Sequence, residues 1–332
     1  MITIYDVAKK ANVSAMTVSR VINNTGRISE PTRNRVKKVM LEMNYVQNSL
    51  ARGLVLQETK ILSLLIADIT NPFYTTIARG AEDTAKQLGY KLLFGNSDED
   101  YAKEKDYVEM ILSTRVDGVL FAPAGDHSQE HLELLAKYKV PFVILDREVP
   151  EIQSDMVLGD SKDGARKLIE YLIQLGHRRI AMINGSLDVS TARYRYAGYE
   201  EALMLNQIKM DPDLVFICDY KALENDTSVE KLLSLSDRPT AIFAANNMIA
   251  IGAVRSLRNR GLRVPEDISV VCFDDLGIHS VLDPFFTVAA QPAYQLGSIG
   301  IELLIKRIQG GGDADWKKVT LPSELIIRRS SM

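Results

Sequence analysis

Two sets of residues in this chain of 332 have types and spacings that could do chemistry. The first runs through Ser14-Ala15-Met16-Thr17-Val18-Ser19-Arg20. Arg20 carries a fork of donors that matches guanine O6 and N7. Thr17 and Ser19 are short enough to meet a phosphate or a base edge, and Ala15 and Met16 offer apolar contact to a thymine methyl. Further on, Asn48-Ser49-Leu50-Ala51-Arg52-Gly53-Leu54 sets a leucine among small residues, which suits an apolar wedge between base steps. The second set lies at the ends of apolar runs: Asp68 through Tyr74, Ser97-Asp98, Asp146-Arg147, Asn246-Asn247 and Asp274-Asp275. Acceptors, amides and an arginine fork beside aromatic rings are what a polyhydroxylated ligand needs, because each hydroxyl both donates and accepts. Ser, Asp and Asn also cap helices, so any one of these positions read alone serves capping or ligand contact. Together they point to a cleft.

The elements that must position the first set are short helices. Thr3 precedes a helical pattern and has Asp6 three residues on, a capping arrangement, after which Val7, Ala8 and Ala11 line one face. Asn12-Val13-Ser14 forms a turn, and Ser14 caps a second helix in which Val18 and Val21 point inward. That leaves Ala15, Met16, Thr17, Ser19 and Arg20 outward. A third helix from Pro31 to Met43 turns Val36, Val39, Met40 and Met43 inward and Arg33, Arg35, Lys37 and Lys38 mostly outward. Charge agrees: residues 1–60 hold ten basic and four acidic side chains, whereas the whole chain carries a formal net charge of −3. Positive charge confined to one small region is the pattern expected of a domain that faces phosphates. The pattern is that of a helix-turn-helix. The segment Asn48 to Leu54 is too short to be a stable helix alone, since isolated helices below roughly 12–15 residues are marginal in water.

The second set needs a different frame. From Ile61 onward, apolar strand-length runs alternate with amphipathic helices: Ile61 to Ile66, Lys91 to Phe94, Val116 to Phe121, Pro141 to Leu145, Arg179 to Ile183, Leu214 to Ile217, Thr240 to Ala245 and Ile268 to Phe273. Strands this apolar belong in parallel sheets covered on both faces, and the rhythm restarts once, so two sheets are expected. Ligands in such sheets bind beyond the carboxyl ends of the strands. No G-x-G-x-x-G loop or phosphate-loop lysine motif occurs, and no Ser-His pair with an orienting acid is evident, so an enzyme is not expected. Two isolated cysteines, Cys218 and Cys272, and four scattered histidines have no ligand spacing, so neither metal nor disulfide is expected. No run approaches the roughly 20 apolar residues that cross a bilayer, and no leader pattern opens the chain, so the cytoplasm is expected.

The stretch from Thr3 to Leu54 closely resembles the lactose/galactose repressor family, and the resemblance extends to the carboxyl terminus. It implies an amino-terminal all-α helix-turn-helix domain followed by a two-lobed α/β domain like the periplasmic sugar-binding proteins, with parallel-rich sheets. The boundaries read as residues 1–46 for the DNA-binding domain, 47–60 for a hinge helix and linker, and 61–332 for the effector and dimerisation domain. Its amino-terminal lobe comprises about 61–158 plus 291–318, and its carboxyl-terminal lobe about 159–290 plus 319–332. The resemblance makes Ala15, Met16 and Arg20 base readers, Thr17 and Ser19 framework and phosphate contacts, Leu54 the minor-groove wedge and Arg52 a hinge contact. Thr3, Ser14, Asn48 and Ala51 complete the DNA-facing set. In the cleft, Asn71-Pro72-Phe73-Tyr74 matches the family's first-loop motif, Leu145-Asp146-Arg147 a form seen in ribose-type binders, and Arg195 the ligand-gripping arginine. Asp98, Asn246, Asp274 and Gln291 supply polar contacts and Tyr220 an aromatic wall. One departure stands out: the family usually reads Asn-Asp where this chain has Asn246-Asn247.

The implied protein is a transcriptional repressor in the bacterial cytoplasm, associated with the nucleoid. It binds a pseudo-palindromic operator as a homodimer and is controlled by a monosaccharide or sugar acid, with no cofactor required. A nucleobase-responsive repressor and a catabolite-control regulator with a phosphoprotein corepressor are the alternatives, and a stand-alone sugar-binding protein is a third. The helices near Ile77 and Leu296 have apolar surface for a core or an interface. No leucine-heptad tail follows the final strand read at Leu321 to Ile327, so tetramers are not expected.

Overall fold

The computed structural model describes residues 2–45, 58–218, 226–277, 283–310 and 315–331. The chain divides into two compact units, Met1–Thr59 and Lys60–Met332.

The smaller unit has three helices, α1 (Ile4–Ala11), α2 (Ala15–Asn23) and α3 (Glu30–Glu42). α1 and α2 each end on an asparagine in the left-handed region, Asn12 with φ 52° and Asn24 with φ 53°. Asparagine tolerates that conformation, so the chain can reverse within a few residues. Val7, Val18, Val21, Val36 and Val39 meet in one core. Full burial of a valine stabilises by about 1.5–3 kcal/mol, so five of them anchor a domain of this size.

The larger unit contains two six-stranded sheets. The first takes β1 (Ile61–Ile66), β2 (Lys91–Asn96), β3 (Gly118–Phe121), β4 (Phe142–Leu145), β5 (Asp155–Gly159) and β11 (Lys318–Leu321), in the order β11-β5-β4-β3-β1-β2. The second takes β6 (Ile180–Asn184), β7 (Val215–Ile217), β8 (Ala241–Ala244), β9 (Ser269–Phe273), β10 (Thr287–Ala290) and β12 (Glu324–Ile326), in the order β12-β10-β9-β8-β6-β7. The two sheets share one topology. Among the described residues all pairings are parallel except that of β12 with β10. The central strands β3, β4, β8 and β9 are buried throughout, the result expected of continuous apolar runs covered on both faces.

Helices α4 (Pro72–Gln87), α5 (Tyr101–Thr114), α6 (Gln129–Lys137) and α11 (Ala293–Ile308) cover the first sheet. The second carries α7 (Ser161–Gln174), α8 (Ser190–Leu205), α9 (Asp226–Ser234) and α10 (Asn247–Asn259). The chain passes between lobes three times, after β5, after β10 and after β11. The last crossover lies between Leu321 and Glu324 rather than after residue 318, because β11 pairs with β5 before β12 joins the other sheet. Ile77 and Leu296 are both fully buried. Their helices pack so closely that a Cβ at Gly80 would stand 2.0 Å from the Tyr294 carbonyl, and one at Gly297 2.0 Å from that of Ile77. That apolar surface therefore serves the core of the first lobe.

Candidate DNA-reading surface and effector cleft

In the smaller unit, the polar side chains of the helix-turn-helix largely hold its own helices. Thr3 closes a capping box: its N–H donates to Asp6 Oδ2 at 2.8 Å, and the Asp6 N–H donates to Thr3 Oγ1 at 3.4 Å. The Thr3 hydroxyl also donates to Asp6 Oδ2 at 2.7 Å, and this bond, followed by that from the Thr3 N–H, keeps the Asp6 carboxyl below its ordinary range. Ser14 Oγ accepts from the Thr17 N–H at 3.1 Å, and the two hydroxyls share a bond of 2.9 Å. Ser19 Oγ accepts from the Asn23 amide at 3.3 Å. Met16 (63 % exposed) and Arg20 project into solvent at the start and middle of α2. Ala15, Thr17 and Ser19 differ from their expected outward positions: all three are half-buried, Ala15 against the helical core. Tyr5, off the Val7-Ala8-Ala11 face, is 73 % exposed. Arg35, Lys37 and Lys38 are exposed, whereas Arg33 donates to Asn24 Oδ1 at 2.5 Å. Asn48, Ala51, Arg52 and Leu54 lie outside the described residues.

In the larger unit, both lobes aim the same device at one cavity. Asp146 follows β4 with φ 66°, and Asp274 follows β9, the equivalent strand of the other sheet, with φ 67°. A left-handed turn directly after each strand turns the carboxylate away from the ladder, a conformation in which aspartate is among the more tolerated residues. Each is opposed by a guanidinium: Arg147 Nε lies 3.6 Å from Asp146, and Arg195 Nη2 lies 3.7 Å from Asp274, all four side chains being buried. The Tyr74 hydroxyl donates to Asp146 Oδ2 at 2.9 Å, and the Gln291 amide donates to Asp274 Oδ1 at 2.8 Å. Arg147 also donates to Glu99 at 2.7 Å and to the carbonyls of Pro123 and Ala124. Arg195 donates to the Ala245 carbonyl at 2.7 Å and lies 4.1 Å over the Phe273 ring.

Burial pushes the Asp274 carboxyl up to about 6, with Arg195 and Gln291 acting against the rise. It likewise raises the Tyr74 hydroxyl well above its ordinary value. Asp146 Oδ1, Arg195 Nε, Gln291 Oε1 and Asn247 Oδ1 are buried without a hydrogen-bond partner. An unmet buried polar atom costs about 1–3 kcal/mol, so these atoms mark where a polar ligand gains most. Gly159 leaves room for Gln291, since a Cβ there would stand 1.6 Å from Oε1.

Several bonds cross from lobe to lobe. Asn247 Nδ2 donates to Asn71 Oδ1 at 3.0 Å, and that same oxygen caps α4 by accepting from the Phe73 N–H at 3.0 Å. An aspartate at 247 would offer this oxygen no donor. Arg193 makes a two-pronged pair with Asp126 at 2.7 and 3.1 Å. The Glu148 N–H donates to Ser190 Oγ at 2.8 Å.

Of the expected cleft residues, Asn71, Phe73, Tyr74, Asp146, Arg147, Arg195, Asn246 and Asp274 line one cavity, and Gln291 sits behind Asp274. Capping and lining are not exclusive: Asn71 and Asn246 each do both, Asn246 Oδ1 accepting from the Ile249 N–H at 2.8 Å. Asp98 does not join them. It stands half-exposed with Lys103 3.9 Å away, and the neighbouring Glu99 lines the cavity instead. The φ of 60° at Asp98 turns the chain so that the next carboxylate faces inward. Glu99 and Thr191 are lining residues that sequence reasoning missed; the Asp-Glu-Asp run was a signal for the first only. Tyr220 lies outside the described residues. Among the described residues no group of His, Cys, Asp and Glu is placed to hold a metal ion, and no helix is long and apolar enough to cross a membrane.

Comparison with known proteins matches both units. Residues 3–48 match the family described as bacterial regulatory proteins, lacI family, and residues 169–331 a periplasmic binding protein-like domain. The chain is 35 % identical to the HTH-type transcriptional regulator DegA of Bacillus subtilis over 331 residues, covering 99 % of this chain and 98 % of that one. It is 34 % identical to the HTH-type transcriptional repressor PurR of Aliivibrio salmonicida over 309 residues, covering 93 % of each. Among solved structures, the lac repressor dimer bound to operator and the anti-inducer ONPF superposes with a TM-score of 0.84 at 30 % identity, over 100 % of this chain and 99 % of that one. The chain thus belongs to the lacI family of bacterial regulatory proteins, and it is a sequence-specific DNA-binding transcriptional regulator rather than an enzyme.

Proposed function

We propose that the protein is a cytoplasmic, nucleoid-associated repressor that grips a pseudo-palindromic operator as a homodimer and is controlled by a neutral sugar held between its lobes. Arg20 and Met16 read bases, with the capping hydroxyls of Thr3 and Ser14 and the α2 hydroxyls of Thr17 and Ser19 fixing the helices and meeting phosphates. The solved lac repressor dimer with its operator supports the assembly. A two-fold dimer presents two such heads to two half-sites. Asn48, Ala51, Arg52 and Leu54 are assigned to the hinge on the strength of the resemblance.

The observation that carries the effector reading is the paired device of Asp146 with Arg147 and Asp274 with Arg195. A carboxylate beside a guanidinium offers two acceptors next to a fork of donors, and vicinal hydroxyls answer both at once. A sugar acid has less support than a neutral sugar. Three buried or half-buried carboxylates, Glu99, Asp146 and Asp274, already face two guanidiniums, so an added carboxylate would meet an excess of negative charge. The space left among these side chains is about 20 Å³, less than one ring, so a sugar enters as the lobes part and the charge pairs separate around it. The other reading is a nucleobase, favoured by the PurR relative and by the edge-to-face rings of Phe73 and Tyr74, 5.1 Å apart.

Thermal-shift titration with ribose, glucose, galactose, glucuronate, hypoxanthine and guanine separates these readings. A ligand at 100 times its Kd stabilises by about 2.7 kcal/mol, well within the reach of that assay. Stabilisation by a neutral sugar alone is expected; stabilisation by a base alone would transfer the assignment to the second reading.

A further inference from the structure

We infer that Glu104, a fully buried carboxylate that does not line the effector cavity, is a positioning residue for effector binding: it holds the backbone bracket on which Arg147 rests. The role rests on the effector reading above, in which Arg147 takes the ligand's hydroxyls, and it applies whichever neutral sugar binds.

Glu104 stands in the first turn of α5, and its two oxygens serve two other elements. Oε1 accepts from His131 Nδ1 of α6 at 2.6 Å, the donor being the histidine because a carboxylate can only accept. The Tyr101 ring stacks on that imidazole with centroids 4.3 Å apart and planes 17° from parallel, which fixes the imidazole plane. Oε2 accepts from the Ala124 N–H, in the loop after β3, at 2.8 Å. This N–H and the Pro123 carbonyl belong to one planar peptide. The carbonyl accepts from Arg147 Nη1 at 3.1 Å, and the next carbonyl, that of Ala124, accepts from the same nitrogen at 3.2 Å. One rigid unit therefore carries a carboxylate on its N–H side and a guanidinium on its C=O side. Hydrogen bonds in series polarise one another, so the carboxylate makes the Pro123 carbonyl a better acceptor for the cation.

The other end of the guanidinium is the one that exchanges. Nη2 lies on Glu99 at 2.7 Å, and Glu99 lines the cavity. A ligand hydroxyl can take Nη2 from Glu99 while Nη1 stays on its two carbonyls, so the bracket sets the direction of the freed edge of the fork. Folding alone gives Glu104 little reason to be charged. Asp100 already caps α5 by accepting from the Lys103 N–H at 2.9 Å, and an apolar side chain of similar volume is often at least as stabilising as a buried ion pair.

The test compares Glu104→Leu, Glu104→Asp and Glu104→Gln in the full-length protein. Calorimetry with ribose, glucose and galactose gives sugar affinity. Phenylglyoxal labelling read by peptide mass spectrometry gives the reactivity of Arg147 without ligand. Arg195, which rests on the Ala245 carbonyl and the Phe273 ring in the other lobe, is the internal reference. Leucine lacks the acceptor and aspartate the reach, so both should weaken sugar binding by about tenfold or more and speed Arg147 labelling about fivefold relative to Arg195. Glutamine keeps an oxygen for the Ala124 N–H and should stay within about threefold of the parent in both measurements. Glu104→Asp decides the matter if Glu104→Leu does not fold. Unchanged Arg147 labelling in Glu104→Asp, equal acceleration at Arg147 and Arg195, or a Glu104→Gln variant as impaired as Glu104→Leu would each overturn the positioning role and leave the sugar reading standing. Binding of none of the three sugars by the parent protein would overturn the sugar reading, while the labelling rates still support or overturn the part played by Glu104.

Discussion

The reader and the cleft solve opposite problems. In the reader, the residues proposed to face DNA lie on two neighbouring helices and their caps, and most of their hydrogen-bonding capacity is spent locally, as in the pairs Thr3 with Asp6 and Ser14 with Thr17. In the cleft, Asn71, Asp146 and Asp274 follow separate strand ends of two sheets, Arg195 comes from α8, and they are buried together with polar atoms unmet. A convex surface in water can leave Arg20 extended at little cost. A concave one must desolvate its charges, so each is opposed by another and the whole is poised for a ligand that completes the bonding.

The sharpest break of that contrast is Asp274→Asn. It should weaken effector binding by at least 100-fold in calorimetry while stabilising the protein. The folded-state value of about 6 lies above the ordinary carboxyl value of 3.8. The native state therefore holds more protons than the unfolded state between those limits, and stability falls as pH rises through that window. Above it, the buried charge costs on the order of 2–3 kcal/mol, which the amide removes. Urea unfolding of both proteins at pH 4 and pH 7 checks the sign: the variant's advantage should appear only at the higher pH.

Asn247→Asp tests the lobe-to-lobe bond. Replacing the donor to Asn71 by a carboxylate should lower stability by about 1–3 kcal/mol in urea unfolding, because two oxygens then face each other in a buried site. Equal stability would show that the bond to Asn71 contributes nothing to closure. Arg20→Ala should cost about 1–3 kcal/mol in specific operator binding by fluorescence anisotropy and blur one base position, with effector affinity untouched. A matching loss on unrelated DNA would make Arg20 a phosphate contact only.

Acidification offers a smaller effect. If the ionised Asp274 is the form that accepts hydroxyls, affinity for a neutral sugar should fall about tenfold between pH 7 and pH 5, the change in the ionised fraction about a value near 6. A flat profile would move the recognition to Asp146. The smallest expected change is Thr3→Ala, which removes the capping box and should cost the reader about 1 kcal/mol of stability, measured by amide exchange in α1.

Much of both regions was legible in residue order. The valine spacing placed α1, α2 and α3 to within a residue or two, and the apolar runs located eight of the strands that carry the sheets. Strands β5, β10 and β11 escaped. Each is short and sits at a crossover or near an edge, where Asp155, Thr287 and Lys318 dilute the apolar signal. In the site, Asp146 and Asp274 could be named because a polar residue directly after a buried strand is conspicuous. Asp98 was chosen over Glu99 because periodicity ends at the strand. Which of two adjacent carboxylates faces inward is then set by the left-handed turn made by both residues, Asp98 with φ 60° and Glu99 with φ 55°.

The sequence by itself determined the class of the molecule: a small helical reader with a local positive charge, joined to a doubled parallel-sheet body. Both follow from periodicity and composition, which act over a few residues. Tertiary structure decided the rest. Only the packed lobes pair Asp146 with Asp274, put the Asn247 amide against the Asn71 cap and bury Arg195 over Phe273. Those contacts join residues as many as 176 positions apart. Their energies depend on burial, which exists only once both sheets are in place.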